Sequence, residues 1–182
     1  KVRAIYKELG FQSLLDKLGD EPAGDDQESY HQTAFTFVEE ITEELFASEN
    51  AFYLEMIEDN YQQADIIGLA VSNEKGNFYV STDTALASPI FKEWASDPGR
   101  KKSVYDAKRS IVALHKRGIE LKGIDFDLFI ASYILNPGDH GEDVAAIAKH
   151  ELGIPLQSDE AFYGKGAKKA VPAEEELAKH LA

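Results

Sequence analysis

Paired carboxylates are the groups in this chain best suited to chemistry. Two acids two positions apart on a strand face the same way. Together they can hold a hard divalent ion such as Mg²⁺ or Mn²⁺, which prefers oxygen ligands. Asp125-Phe-Asp127 has this spacing. It also adjoins the apolar run Phe126 to Leu135, which reads as a helix. An Asp at a helix start more often caps the backbone N–H groups, so Asp127 is expected to be an N-cap. The histidines His31, His115, His140, His150 and His180 are scattered, and His140 and His150 lack the i, i+4 spacing of a zinc helix. Gly164-Lys-Gly-Ala-Lys-Lys169 is basic and glycine-containing but lacks the phosphate-loop pattern, so a nucleotide site is not expected there. With no cysteine, a thiolate metal site, a disulfide framework and a Cys nucleophile are excluded.

These residues need a scaffold. Val2, Ile5, Tyr6, Leu9, Leu14, Leu15 and Leu18 have mostly helical spacing, broken at Gly10-Phe11, so residues 1–18 are expected to form a helical segment. Residues 19–32, GDEPAGDDQESYHQ, are polar and acidic and read as a linker. A domain is expected over residues 33–182. Phe35 to Val38 reads as a strand, and Thr42 as the cap of a short helix running to Phe46. Ala51–Ile57, Asp65–Ser72 and Asn77–Ser81 read as three strands joined by turns at Asp59-Asn60 and Asn73–Gly76. Ser88-Pro89 opens a helix to Ala95, Lys102–Tyr105 is a strand, and Ala107–Lys116 is a helix ending at Gly118. Asn136-Pro137-Gly138 stops the helix Phe126–Leu135, and Val144–Leu152 and Ala173–Leu181 complete the helices. The pattern predicts an α/β fold, a mixed sheet with helices on its faces.

The chain has 182 residues, 43% apolar and 29% charged, which suits one globular domain. No stretch approaches the ~20 apolar residues of a membrane span, and no signal-peptide core is present, so no membrane partner is expected. The lack of cysteine suits a reducing compartment. Lys1 is not a natural start, and the chain looks excised from something longer. The net charge is −14. Arg100-Lys101-Lys102, Lys108-Arg109, Lys116-Arg117 and Lys165 to Lys169 are the basic spots, which read mostly as solvated helix faces. A domain that grips nucleic acid by itself should offer a larger basic patch.

Four segments, in order, resemble one family. They are Leu9-Gly-Phe-Gln-Ser-Leu-Leu15, Asp65-Ile-Ile-Gly-Leu-Ala-Val-Ser72, Gly118-Ile-Glu-Leu-Lys-Gly-Ile-Asp-Phe-Asp-Leu-Phe-Ile-Ala-Ser-Tyr-Ile-Leu-Asn-Pro137 and Tyr163-Gly-Lys-Gly166. Together they resemble the 3′–5′ exonuclease-like (proofreading) domain of bacterial DNA polymerase I, closest to the inactive form in Gram-positive bacilli. The first segment looks like the end of the preceding 5′-nuclease region. The resemblance implies a ribonuclease H-like mixed β-sheet flanked by helices, with Lys102–Tyr105 parallel to an internal Ala51–Ile57. It implies a polymerase domain of the same protein as partner, DNA reached through the parent protein, and a cytoplasmic, nucleoid-associated setting.

Active members of this family hold two divalent ions with four carboxylates. Their Asp-x-Glu motif falls on Tyr53 and Glu55 when counted back from Gly68. Sliding the register gives Leu54 and Met56, or Glu55 and Ile57, and no register gives two acids. Their Asn-x-x-x-Asp motif falls on Asp106 and Ser110, counted back from Gly118. In the Tyr-x-x-x-Asp motif, His180 stands at the Tyr, and the Asp position lies past Ala182. Glu55 is therefore the remaining carboxylate, with Asp106 one helical turn away from the position it would need. The simpler roles are a solvated acid at a sheet end for Glu55, a helix cap for Asp106 and a volume filler for Tyr53.

The expectation is a catalytically inactive structural module for replication and repair, with no cofactor and no ion near Glu55. The alternatives are an active exonuclease using Mg²⁺ or Mn²⁺, or a module that holds single-stranded DNA without cutting it, with the basic loop 164–169 near the DNA channel.

Overall fold

The computed structural model describes residues 30–57, 64–138, 143–166 and 169–182. The expected helical segment 1–18, the linker up to residue 29 and the turn at Asp59-Asn60 lie outside these residues. At the end of the linker, Tyr30 to Gln32 are exposed and carry no regular secondary structure. The His31 N–H donates to the Pro155 carbonyl at 2.7 Å.

One six-stranded sheet has the order β1-β4-β3-β2-β5-β6. The strands are β1 Thr36–Val38, β2 Glu49–Met56, β3 Ile66–Asn73, β4 Gly76–Val80, β5 Lys101–Val104 and β6 Ile124–Asp127. Strands β2, β3 and β4 run antiparallel to their neighbours in that trio, as the short links between them require. The Asn73–Gly76 turn closes on the Asn73 side chain, which accepts from the Lys75 N–H at 2.9 Å, and Gly76 supplies φ 140. Parallel pairs flank the trio: β1 with β4, β5 with β2, and β6 with β5. The expected strands are present with ends shifted by a residue or two, and β2 is internal.

The helices are α1 Thr82–Ala87, α2 Pro89–Ser96, α3 Ala107–His115, α4 Leu128–Leu135, α5 Val144–Ile147, α6 Asp159–Tyr163 and α7 Glu174–Leu181. Side-chain caps explain several starts. Ser81, Ser88, Asp106, Asp127, Asp143 and Ser158 each accept a backbone N–H from the first turn they precede.

Three expectations need correction, and two helices were not foreseen. Thr42 makes no side-chain cap: the element after it is a short 3₁₀ turn, Glu43–Leu45, closed by the Leu45 N–H on the Thr42 carbonyl at 3.1 Å. Phe126 and Asp127 are not helical but end β6, because their backbone pairs with β5 before α4 can begin. The helix expected over 144–152 keeps α geometry only through Ile147 and widens to a π turn over Ala148–Leu152. Helices α1 and α6 are too short for apolar periodicity to reveal them.

Alternation along β2 divides the core. Phe52, Leu54 and Met56 face α2 and α3 in a cluster with Phe91, Trp94, Ala113 and Leu114. The Trp94 ring stacks on Phe46 at 4.3 Å and meets Phe52 edge-on at 5.5 Å. The opposite face carries Tyr53 and Glu55, with a smaller cluster of Tyr79, Tyr163, Leu177 and Ala178. Gly68 pairs with Glu55 across the sheet, and a Cβ there would lie 3.0 Å from Leu181 Cδ1 and 3.0 Å from the Tyr79 ring. The missing side chain lets α7 settle onto β3 beside Glu55.

Asp127 fixes two helix starts at once. Its Oδ1 accepts from the Asp106 N–H at 3.1 Å and the Phe129 N–H at 3.0 Å, and its Oδ2 from the Ala107 N–H at 2.8 Å. Asp127→Ala removes the acceptor from three donors and is expected to cost about 2 kcal/mol. Asp127→Asn should lose less. Urea unfolding of both variants checks this: equal midpoints for parent and Asp127→Ala would show that the carboxylate is dispensable.

Candidate functional site

Glu55 is wholly buried on the internal strand β2, at 0% exposure. The expected solvated carboxylate at a sheet end is therefore incorrect: α6 and α7 cover this end of the face, and β5 extends the sheet past β2. Glu55 Oε1 accepts from the Met56 N–H at 2.8 Å. The Arg109 guanidinium lies 4.0 Å from the same oxygen and donates to the Met56 carbonyl. Among the described residues, Glu55 Oε2 and the Tyr163 hydroxyl are buried and meet no well-aligned hydrogen-bond partner, although the two side chains lie close enough to act on each other's protonation.

Two further side chains reach this carboxyl. His180, on the last turn of α7, places Nε2 3.0 Å from Oδ1 of Asp159, the first residue of α6. The His180 ring stacks on Phe162 at 4.0 Å and meets Tyr163 edge-on at 5.6 Å. One donor atom each from Glu55, Asp159 and His180 lie within 4.8 Å of one another. A cavity of about 710 Å³ opens beside them, bounded in part by Tyr30 to Phe35, Tyr53 and Phe162.

Burial, and then the Asp159 carboxylate, push the Glu55 acid up to about 8. The Met56 N–H, Arg109 and Tyr163 oppose this shift. The Tyr53 hydroxyl is raised by burial, then by Glu55 and Asp159, and Tyr163 is raised by burial and Glu55. These influences favour the protonated form of Glu55 over the range where a free carboxyl is ionised.

The other residues singled out by sequence have structural partners of their own, Tyr53 beside Glu55 on the same face and the rest further off. Tyr53 packs its ring 6.3 Å from Tyr105, which meets Phe129 edge-on at 5.7 Å. Asp106 caps α3: its Oδ1 accepts from the Arg109 N–H at 3.1 Å, with a left-handed backbone at φ 55. Ser110 is buried, and its hydroxyl donates to the Asp106 carbonyl at 3.4 Å. The acid pair splits: Asp127 caps α4 while Asp125 pairs with Lys101 at 3.5 Å. Other basic spots also meet surface acids, Arg100 with Glu43 at 3.0 Å and Arg117 with Asp65 at 3.3 Å. In the loop 164–169, Lys165 pairs with Glu160 at 3.1 Å, and residues 167–168 lie outside the described ones. Sequence reasoning missed Asp159 and Arg109. Each reaches Glu55 from a distant part of the chain, and no local spacing links either to it.

A mixed six-stranded sheet flanked by helices is the ribonuclease H-like fold. Escherichia coli RNase D shares it at a TM-score of 0.60 and 13% identity, over 82% of this chain and 41% of that one. Brucella melitensis NrnC shares it at 0.60 and 12% identity, over 81% of this chain and 71% of that one. Likeness at this identity is one of fold. Within that class, the chain belongs to the family of the DNA polymerase I ribonuclease H-like domain, whose model matches residues 52–182. It is 48% identical over 181 residues to DNA polymerase I of Bacillus caldotenax and 44% identical over 183 residues to that of Bacillus subtilis. The matches cover 100% of this chain but only 20% and 21% of those proteins, so it spans about a fifth of their length. Among the described residues, no helix is long and apolar enough to cross a membrane.

Proposed function

We propose that this chain is an exonuclease-like domain that no longer cuts DNA and serves as a structural module beside the polymerase domain of the same polypeptide. Its setting is replication and repair in the cytoplasm, with DNA contacted through the parent protein. One observation carries the reading: at the positions the family resemblance gives to metal-binding carboxylates, Tyr53 and Ser110 bring no charge, and both are packed into the protein. Glu55 alone remains, with one oxygen already engaged by the Met56 N–H. This set does not fit a pair of Mg²⁺ or Mn²⁺ ions, which need several carboxylates to offset their repulsion. No step of hydrolysis is therefore assigned to these residues.

A structural role has its own test. Deleting residues 33–182 from the full-length polypeptide should lower the temperature at which polymerase activity is lost, by at least several degrees. Polymerisation at low temperature should change little by comparison. An unchanged inactivation temperature would remove the support for a module that steadies its neighbour.

A further inference from the structure

We propose that the apolar side chains of residues 1–18 dock on the exposed face of α4 within the same chain. That face carries Ile130, Tyr133, Ile134 and Leu135, with Leu152 of the π turn beside it. Asn136 Nδ2 donates to Glu151 Oε1 at 3.0 Å and so joins the end of α4 to that turn. Ile134, Leu135 and Leu152 are 68%, 70% and 70% exposed. No residue of α4 is buried, and the helix contains no Asp, Glu, Lys, Arg or His. A contiguous exposed apolar surface of this kind marks an interaction site.

Three observations select residues 1–18 as the occupant. The first is position. The His31 N–H donates to the Pro155 carbonyl at 2.7 Å, so the chain enters the described domain close to Leu152. Residues 19–29 lie between, and fully extended they span about 36–40 Å. Helix α4 is only about 12 Å long, so this tether is long enough to lay residues 1–18 along it. A tether of this length makes docking an intramolecular event at a high effective concentration. The second is the pattern of the segment. Val2, Ile5, Leu9, Leu14, Leu15 and Leu18 recur at mostly helical spacing among polar residues, an apolar stripe that must be buried somewhere. The third is charge. Lys1, Arg3, Lys7 and Lys17 outnumber Glu8 and Asp16 in a chain whose net charge is −14. A segment with excess positive charge is drawn to the acidic remainder, and the Glu151 side chain stands 43% exposed at the edge of the patch.

A second copy of the chain fits this face less well. Each copy carries a net charge of −14, so two copies repel, whereas residues 1–18 bring the opposite sign. The contact is also separate from the Glu55 site: no residue of α4 lines the cavity there. It therefore does not depend on whether the domain cuts DNA.

The test is amide hydrogen exchange of the 182-residue chain, read by mass spectrometry beside two double variants, Leu14→Glu/Leu15→Glu and Ile134→Glu/Leu135→Glu. The α4 amides of the parent should exchange at least ~10-fold more slowly than those of Leu14→Glu/Leu15→Glu. Reciprocally, Ile134→Glu/Leu135→Glu should speed exchange within residues 1–18 by a similar factor. Strands β2 and β3 should exchange alike in all three proteins; faster exchange there as well would mean general destabilisation and count against docking. Dilution by about tenfold should leave the protection of α4 unchanged, because the contact is intramolecular. Equal exchange of α4 in the parent and in Leu14→Glu/Leu15→Glu would overturn the proposal. So would protection that falls on dilution, the mark of a second copy, or protection seen only in the full-length polypeptide, the mark of another part of it.

Discussion

Glu55→Gln is expected to stabilise the metal-free protein at pH 9 by about 3–5 kcal/mol and to remove most of a stability loss that the parent suffers between roughly pH 5 and 8. The cause is the buried acid. Burial and Asp159 raise Glu55 from 4.5, its ordinary value, to about 8 in the folded chain. Below about pH 4.5 both the folded and the unfolded chain hold the proton, and this residue gives no pH dependence. Between the two values the unfolded chain releases its proton while the folded chain keeps it, so stability falls as pH rises. Above about 8 the loss is complete, because the folded chain now carries a desolvated charge beside Asp159. Gln keeps an acceptor for the Met56 N–H and never ionises. Urea unfolding of both proteins at pH 5, 7 and 9, with a chelator present, measures the effect. Curves that stay parallel across that range would place the penalty elsewhere.

Excision of a mismatched 3′ end by the full-length polypeptide is expected to be at least ~10³-fold slower than by a polymerase I whose four carboxylates are intact, with either Mg²⁺ or Mn²⁺. Two dications about 4 Å apart repel each other with roughly four times the energy of unit charges. At an effective dielectric of about 20 that is on the order of 15 kcal/mol, which only several nearby anions can offset. Tyr53 and Ser110 contribute none, and the Arg109 guanidinium 4.0 Å from Glu55 adds a positive charge on the wrong side of the balance. Single-turnover primer shortening provides the rate.

Much of this architecture was legible in the residues. The trio β2, β3 and β4 followed from short polar links between alternating apolar runs, and Ser88-Pro89 announced α2. Asp106 and Asp127 were read as caps because each stands at the start of a helical run, and both do cap. The edge strand β6 was hidden because its four residues form a strand only by pairing with β5. The burial of Glu55 was also hidden. Its strand neighbours alternate from exposed at Glu49 and Ala51 to covered at Glu55, and the cover comes from α6 and α7, more than a hundred residues later. For the same reason Asp159 could not be found: nothing near it in the chain marks it as the neighbour of Glu55. Local chemistry is written in short spacings, whereas a site assembled from three separate elements is written only in the topology.

The most direct test of the central claim compares the parent full-length polypeptide with its Glu55→Ala variant on one substrate, a primer–template with a labelled, mismatched 3′ terminus. Nucleotides are withheld, so that polymerisation cannot mask excision, and Mg²⁺ and Mn²⁺ are tried in turn over several hours. The account predicts no shortening beyond background and no difference between the two proteins. Shortening by the parent that disappears in Glu55→Ala would show a working nuclease at this site and contradict it.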